Sequence, residues 1–314
     1  MTTETAISPA RPATAARRGR RSAYEKRRGR GGLAFVTPFM IMFTLFMIVP
    51  LGYAVYQSLY TTKLIGGTSF SGFANYSTVL QSGPFWGGVI RVVIFGAIQI
   101  PVMLTVAFFF ATIFDMGVAK WGRVFRAIFF IPYAVPIVVS ALMWGFLFDP
   151  EYGPFDKFMQ AIGFHNFNWM SSTFMVPTII IIAIWEWTGY NCVILYTALK
   201  SVPRDVIEAA ILDDTPLWKI ILRIKLPMVR PAIVMLVFLN TIGAMQLFIE
   251  PFILNNYQAG VITNTWTPVI DIYNTAISDG EYQLGAAMAV VLALIVVVIS
   301  VGSLAFRNRR RELS

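Results

Sequence analysis

The chain has 314 residues, 57% hydrophobic and 13% charged, with a mean hydropathy of +0.66 and a formal net charge of +9. Such a composition excludes an ordinary soluble domain. A single cysteine, Cys192, and a single histidine, His165, exclude a disulfide framework and a His/Cys metal site.

In chain order, residues 1–31 come first, polar and rich in Ala, Thr, Pro and Arg, and are expected to be disordered. The apolar run that follows is too long for a cleavable signal peptide and lacks a small-residue cleavage pattern. Apolar runs near 34–60, 88–113, 125–148, 174–198, 232–254 and 283–306 are each long enough to cross a hydrocarbon core, which takes about 20 helical residues. Barrel strands would be shorter and would alternate apolar with polar residues. The predicted fold class is therefore an all-α membrane protein with six transmembrane helices over 32–306, closed by a basic tail at 307–314.

Orientation follows from the Lys and Arg residues. Nine lie in the N-terminal tail (among them Arg17, Arg20 and Lys26), three flank the second link (Lys120, Arg123, Arg126), six lie in the fourth link and four close the chain. Only Lys63, Arg91 and Lys157 fall elsewhere. The positive-inside rule makes the crowded side cytoplasmic, with both termini inside, as an even number of spans requires. A nucleic-acid role for the Arg-rich tail is set aside, because a basic tail abutting a first span orients the chain and touches anionic lipid of the bilayer.

The fourth link, residues 200–231, is the most informative segment. Pro203 suits a first helical turn, and Val206, Ala209 and Ala210 recur at helical spacing beside Glu208. Asp213-Asp214 breaks that helix. Thr215 is expected as an N-cap and Pro216 as the first residue of a second helix. There Leu217, Ile220, Ile221 and Ile224 form one apolar stripe, with Lys219 and Arg223 on another face. Pro227 and Pro231 are expected to end this element before the fifth span.

These residues resemble the EAA loop of binding-protein-dependent ABC importer permeases. Glu208, Ala209, Ala210, Asp213, Leu226, Pro227 and Pro231 match its pattern at the right spacing. Asp214 stands where that family usually has Gly, a position that needs φ > 0, and Asp tolerates the left-handed region better than most residues. Thr215 and Ile221 are smaller departures. The resemblance extends over 34–306, through Gly72-Phe73-Ala74-Asn75-Tyr76 with Phe85-Trp86, and through the run from Arg126 to Pro136 with Trp144. Its subtype is similar to sugar permeases related to the MalF subunit of maltose systems.

The resemblance implies the ABC importer type I permease fold in a prokaryotic cell membrane. It implies alternating access, a second permease subunit, a cytoplasmic ABC ATPase dimer docked on the loop, and an extracytoplasmic solute-binding protein. No cofactor is expected on this chain. It has no Gly-Lys pair, hence no phosphate-cradling loop, so ATP and Mg would be used by the partner ATPase. The chain is accordingly not expected to be an enzyme.

Polar residues within spans are costly in lipid and mark a cavity or a partner. In the fourth span these are Glu186, Tyr190 and Asn191, beside Trp185 and Trp187. In the fifth, Asn240, Gly243, Gln246 and Glu250 fall on one face by the 3.6-residue period. Glu186, Tyr190, Asn191, Asn240, Gln246 and Glu250 are the candidate translocation path, and polar glue between helices is the competing reading. Carboxylates, amides and rings suit a polyhydroxylated solute. Two alternatives remain open: an ABC permease for a glycerol phosphate ester or polyol, and an ion-coupled secondary carrier using Glu186. The second class favours inverted repeats and broken helices, has no use for a docking loop, and finds no second copy of the fourth-span pattern here.

Overall fold

The computed structural model describes residues 35–63, 66–117, 122–164, 167–258 and 260–311, with side chains up to residue 302 and without that of Arg123. The basic tail expected over 1–31, and His165, lie outside the described residues. The chain divides into two compact units, residues 1–56 and 57–314. The first holds the apolar helix α1 (Phe35–Ser58), which carries a π stretch at Thr44–Ile48 and whose last two residues belong to the second unit.

The second unit opens with a hairpin, β1 (Tyr60–Lys63) against β2 (Gly67–Phe70), antiparallel with Tyr60 opposite Phe70. An all-helical reading misses it, although β-branched Thr61 and Thr62 followed by Gly66-Gly67 form a hairpin signal. Both glycines adopt positive φ, 115° and 68°. Asn75 of α2 (Ala74–Gln81) donates to the carbonyls of Ser58 and Tyr60 at 2.9 and 2.7 Å, tying the hairpin to the helix.

The spans follow. Helix α3 (Gly83–Asp115) begins where Ser82 accepts from the Phe85 N–H and Pro84 fills the first turn. Its 33 residues extend roughly 50 Å, well beyond a hydrocarbon core. It packs along α7 (Met175–Lys200), and Met103, Met175, Ile179, Ile182 and Leu195 are fully buried in the bundle. Between them lie α4 (Gly122–Ala134), α5 (Ile137–Leu147) and the amphipathic α6 (Pro154–Ala161).

The third predicted span is not one helix. α4 and α5 meet at 92°, because Pro136 disfavours helical φ/ψ at Val135. Counting that bent pair as one, the described residues contain six spans.

α8 (Arg204–Leu212) is capped at Pro203, one position earlier than expected for that proline. α9 then runs without interruption through Leu217–Lys219, a π stretch Ile220–Lys225 and Leu226–Met245. Pro227 and Pro231 therefore do not end it. In the π stretch the Leu226 N–H reaches the Ile221 carbonyl, and the wider turn accommodates the donor that Pro227 lacks. α9 stops at Met245, three residues of irregular chain follow, and α10 (Ile249–Leu254) packs on α5. α11 (Pro268–Tyr273), with a π stretch at Asn274–Ser278, and α12 (Tyr282–Arg311) complete the chain. α11 lies against α3, and α12 lies against α2 and α9.

Candidate translocation cavity and coupling loop

The fourth link folds as two helices with a tight turn between them. α8 closes on a Schellman arrangement, in which the Thr215 N–H reaches the Ala210 carbonyl and the Asp214 N–H that of Ile211, both at 3.0 Å. Asp214 sits at φ 51°, the only non-glycine with positive φ among the described residues. The family's glycine position is thus left-handed here with an aspartate in it. Thr215 is not the N-cap of α9: its backbone completes the turn, and Pro216 takes the cap with no side-chain bond.

A left-handed L-residue costs about 1–2 kcal/mol. Asp214→Gly is therefore expected to raise the local stability of the turn by about 1 kcal/mol with uptake unchanged. Hydrogen exchange at the Asp214 and Thr215 amides checks this, and faster exchange in the variant would contradict it.

Glu208, Ile211 and Leu212 share one face of α8 at i, i+3 and i+4. Glu208 is exposed, and Ile211 and Leu212 are 58% and 85% exposed. Trp218 adds a further 56%-exposed apolar surface at the start of α9, while Ile220 of the predicted stripe is buried. Ala209 and Asp213 are exposed and Ala210 is buried, so α8 has one face inward and one apolar face outward.

In the bundle, a cavity of about 320 Å³ lies among α3, α5, α7, α9 and α10. Phe95 and Gln99 line it from α3, Trp187 and Tyr190 from α7, and Asn240 from α9. Gln246 and Phe248 line it from the irregular segment after α9, and Glu250 from α10. The expected common face of Asn240, Gln246 and Glu250 is not a helix face: α9 has ended by Gln246, and Glu250 belongs to the next helix. The chain break brings them together instead. Non-helical backbone at membrane depth is tolerated where it lines a cavity, as here.

Asn191 and Glu186 stand behind the wall. Asn191 is fully buried, donates to the Trp187 carbonyl at 2.8 Å and accepts from Asn240 Nδ2 at 2.9 Å, so it clamps α7 to α9. Glu186 is 5% exposed, with Ser140 of α5 as its polar neighbour, and neither side chain makes a hydrogen bond of ordinary geometry. An unsatisfied buried polar group costs about 1–3 kcal/mol or more, and groups retained at such a cost in a span are functional candidates.

Reasoning from spans four and five alone misses Gln99, Phe248 and Tyr133. Gln99 is an amide inside an apolar span and the same intramembrane-polar criterion finds it. Tyr133, at the bend of the third span, stacks on Tyr190 at 4.8 Å and meets Trp187 edge-on at 5.4 Å. Its place depends on the bend, so helical periodicity could not reveal it. A larger cavity of about 680 Å³ between α3 and α9 is lined almost wholly by aliphatic groups and has none of this polar character.

A bundle of apolar helices with a polar cavity beside a break in one span, and an amphipathic link between two spans, has the make-up of a membrane transport permease. The chain belongs to the family of binding-protein-dependent transport system inner membrane components, whose model matches residues 103–312. It is 30% identical over 273 residues to the lactose transport system permease LacF of Rhizobium radiobacter, covering 86% of this chain and 91% of that one. It is 26% identical to the trehalose/maltose transport system permease MalF of Thermococcus litoralis, covering 93% and 98%. A bacterial alginate ABC transporter, solved with an alginate pentasaccharide-bound periplasmic protein, matches in fold with a TM-score of 0.78 at 20% identity over 91% and 96%. The chain is a multi-pass inner-membrane ABC importer permease.

Proposed function

We propose that this permease imports an uncharged sugar or oligosaccharide by alternating access, paired with a second permease subunit and driven by a cytoplasmic ABC ATPase dimer. A solute-binding protein outside the membrane delivers the sugar. Both termini and the link from α8 to α9 face the cytoplasm, where Glu208, Ala209, Ala210, Asp213, Asp214, Leu226, Pro227 and Pro231 form the coupling loop. ATP and Mg belong to the ATPase and none to this chain.

The observation that carries the substrate reading is the cavity wall. Aromatic faces from Phe95, Trp187, Tyr190 and Phe248 suit the apolar side of a sugar ring, while Gln99, Asn240, Gln246 and Glu250 suit its hydroxyls. No Lys or Arg is among the described residues of that wall, and its one carboxyl group is that of Glu250. This favours an uncharged solute, while a glycerol phosphate ester stays the second reading, since the sn-glycerol-3-phosphate transport system permease UgpA of Escherichia coli is 28% identical over 85% of this chain. The names of LacF and MalF, which bear on disaccharides, agree with the uncharged solute.

Broken helices do not by themselves favour a secondary carrier here, since the chain belongs to a family of binding-protein-dependent transport components. In this mechanism Tyr190 and Trp187 hold the ring, Asn240 is fixed by Asn191 to present its amide, and Glu186 lies one layer behind.

Glu250→Gln is expected to cut sugar uptake at least about tenfold, as removal of a hydrogen bond to a charged group costs about 1.5–3 kcal/mol. Proteoliposomes holding the whole complex, with saturating binding protein, measure this. Unchanged uptake would remove Glu250 from the path. The same vesicles test the substrate reading: uptake of lactose, maltose or trehalose is expected, and uptake of glycerol 3-phosphate alone would overturn it.

A further inference from the structure

Asp115 is the last residue of α3, where the dipole of the helix C-terminus disfavours a negative charge. It is nonetheless held there by two lysines. Lys225 Nζ lies 2.5 Å from one carboxylate oxygen and Lys200 Nζ 3.2 Å from the other. The Asp115 and Lys225 side chains are only 7% and 10% exposed, so this is an ion pair largely removed from water, whose parts are costly to separate.

The positions of the two lysines give the cluster its meaning. Lys200 is the last residue of α7, immediately before the coupling segment. Lys225 is the last residue of the π stretch inside it, just before Leu226, Pro227 and Pro231. The stretch between them, which holds α8, the Asp214 turn and the start of α9, is therefore fastened on both sides to one carboxylate on a different span. Tyr196 extends the cluster: Arg126 of α4 lies over its ring at 4.4 Å and Lys200 at 5.6 Å. The ends of α3 and α7 meet the N-terminal parts of α4 and α9 at this point, and three of these helices, α3, α7 and α9, wall the polar cavity.

We propose that Asp115 is a positioning residue for transport, a carboxylate clasp closed on Lys200 and Lys225 that makes the coupling segment move α3 and α7 together with α9. The inference rests on the ATP-driven reading above. Without the clasp, the segment still presents its docking face to the ATPase, but its displacement is taken up locally instead of reaching the cavity walls. Transport and ATP hydrolysis then separate.

The test uses the complete complex of permease pair, ATPase and binding protein in proteoliposomes, with maltose and trehalose as probes. Asp115→Asn, and the pair Asp115→Asn with Lys225→Met, which leaves no unpaired buried lysine, are expected to assemble with the ATPase at wild-type yield. Sugar moved per ATP hydrolysed is expected to fall at least tenfold in both, and Asp115→Glu to recover it to within about threefold. A purely structural role would lower assembly and hydrolysis together and leave their ratio to transport unchanged; that result, or a wild-type ratio in the double variant, overturns the clasp. Wild-type vesicles that show no ATP-dependent uptake would instead contradict the transport reading itself.

Discussion

Glu208→Lys is expected to leave the protein inserted and folded while abolishing the stimulation of ATP hydrolysis by loaded binding protein. Glu208 is exposed on α8, in line with Ile211 and Leu212, and 85% of Leu212 is open to solvent. In the proposed complex they are covered by the ATPase, with Glu208 as the polar group that fixes register. Losing one member of a buried charged hydrogen-bonded pair costs about 2–5 kcal/mol, and reversal of sign adds repulsion. The affinity of the ATPase for the loop is thus expected to fall by roughly 30-fold or more. Stimulated ATPase activity of the reconstituted complex, with membrane levels of the permease measured in parallel, checks this. Wild-type stimulation in the variant would mean that α8 is not the docking element.

Gly189→Val has the second large effect, and it strikes the fold. Gly189 lies at the centre of the contact between α7 and α4, where a Cβ would overlap the backbone carbonyl of Phe129 and stand 3.1 Å from the Phe130 Cα. Those neighbours are backbone atoms and cannot rotate away, so the helices would have to separate. Such separation would move Tyr133 off Tyr190 and displace Phe129 from Phe110, which it meets at 4.3 Å between ring centres. Overpacking in a well-packed interior costs about 1–3 kcal/mol, and more where no side chain can yield. Folded permease recovered from membranes is expected to fall several-fold, with a lowered unfolding temperature. Recovery and melting equal to wild type would show that α4 does not hold this position against α7.

The two predictions draw on different levels of legibility. The two helices of the fourth link and the break between them at Asp213-Asp214 could be read directly, because helical period and turn residues are local properties of the chain; its exposed apolar face could not, since Ile220 of the predicted stripe is buried and Ile211 and Leu212 are open instead. Even the left-handed conformation of Asp214 follows from the family's glycine at that turn. Proline was harder to read. Pro136 does break its span, at 92°, whereas neither Pro227 nor Pro231 breaks α9, and a π stretch widens the helix just ahead of Pro227. Nothing in the residues alone distinguishes the two outcomes: one depends on whether neighbouring turns can rewind, which is a matter of packing.

The candidate path was legible in composition but not in geometry. Polar residues in spans four and five did gather around a cavity. Gln246 and Glu250 reach it through a chain break, however, and Asn191 and Glu186 lie behind its wall. Long-range pairs such as Asp115 with Lys225, and close approaches such as Gly189 to Phe129, connect residues far apart in sequence. No periodicity marks them.

The most direct test of the central claim, that this permease is driven by ATP hydrolysed on a partner, is uptake by vesicles containing the purified complex after the ATPase has lost its phosphate-binding lysine. With maltose, lactose and trehalose as probes, uptake is expected to stop, and an imposed proton gradient is expected not to restore it. Uptake that persists in that variant and follows the proton gradient would contradict the account.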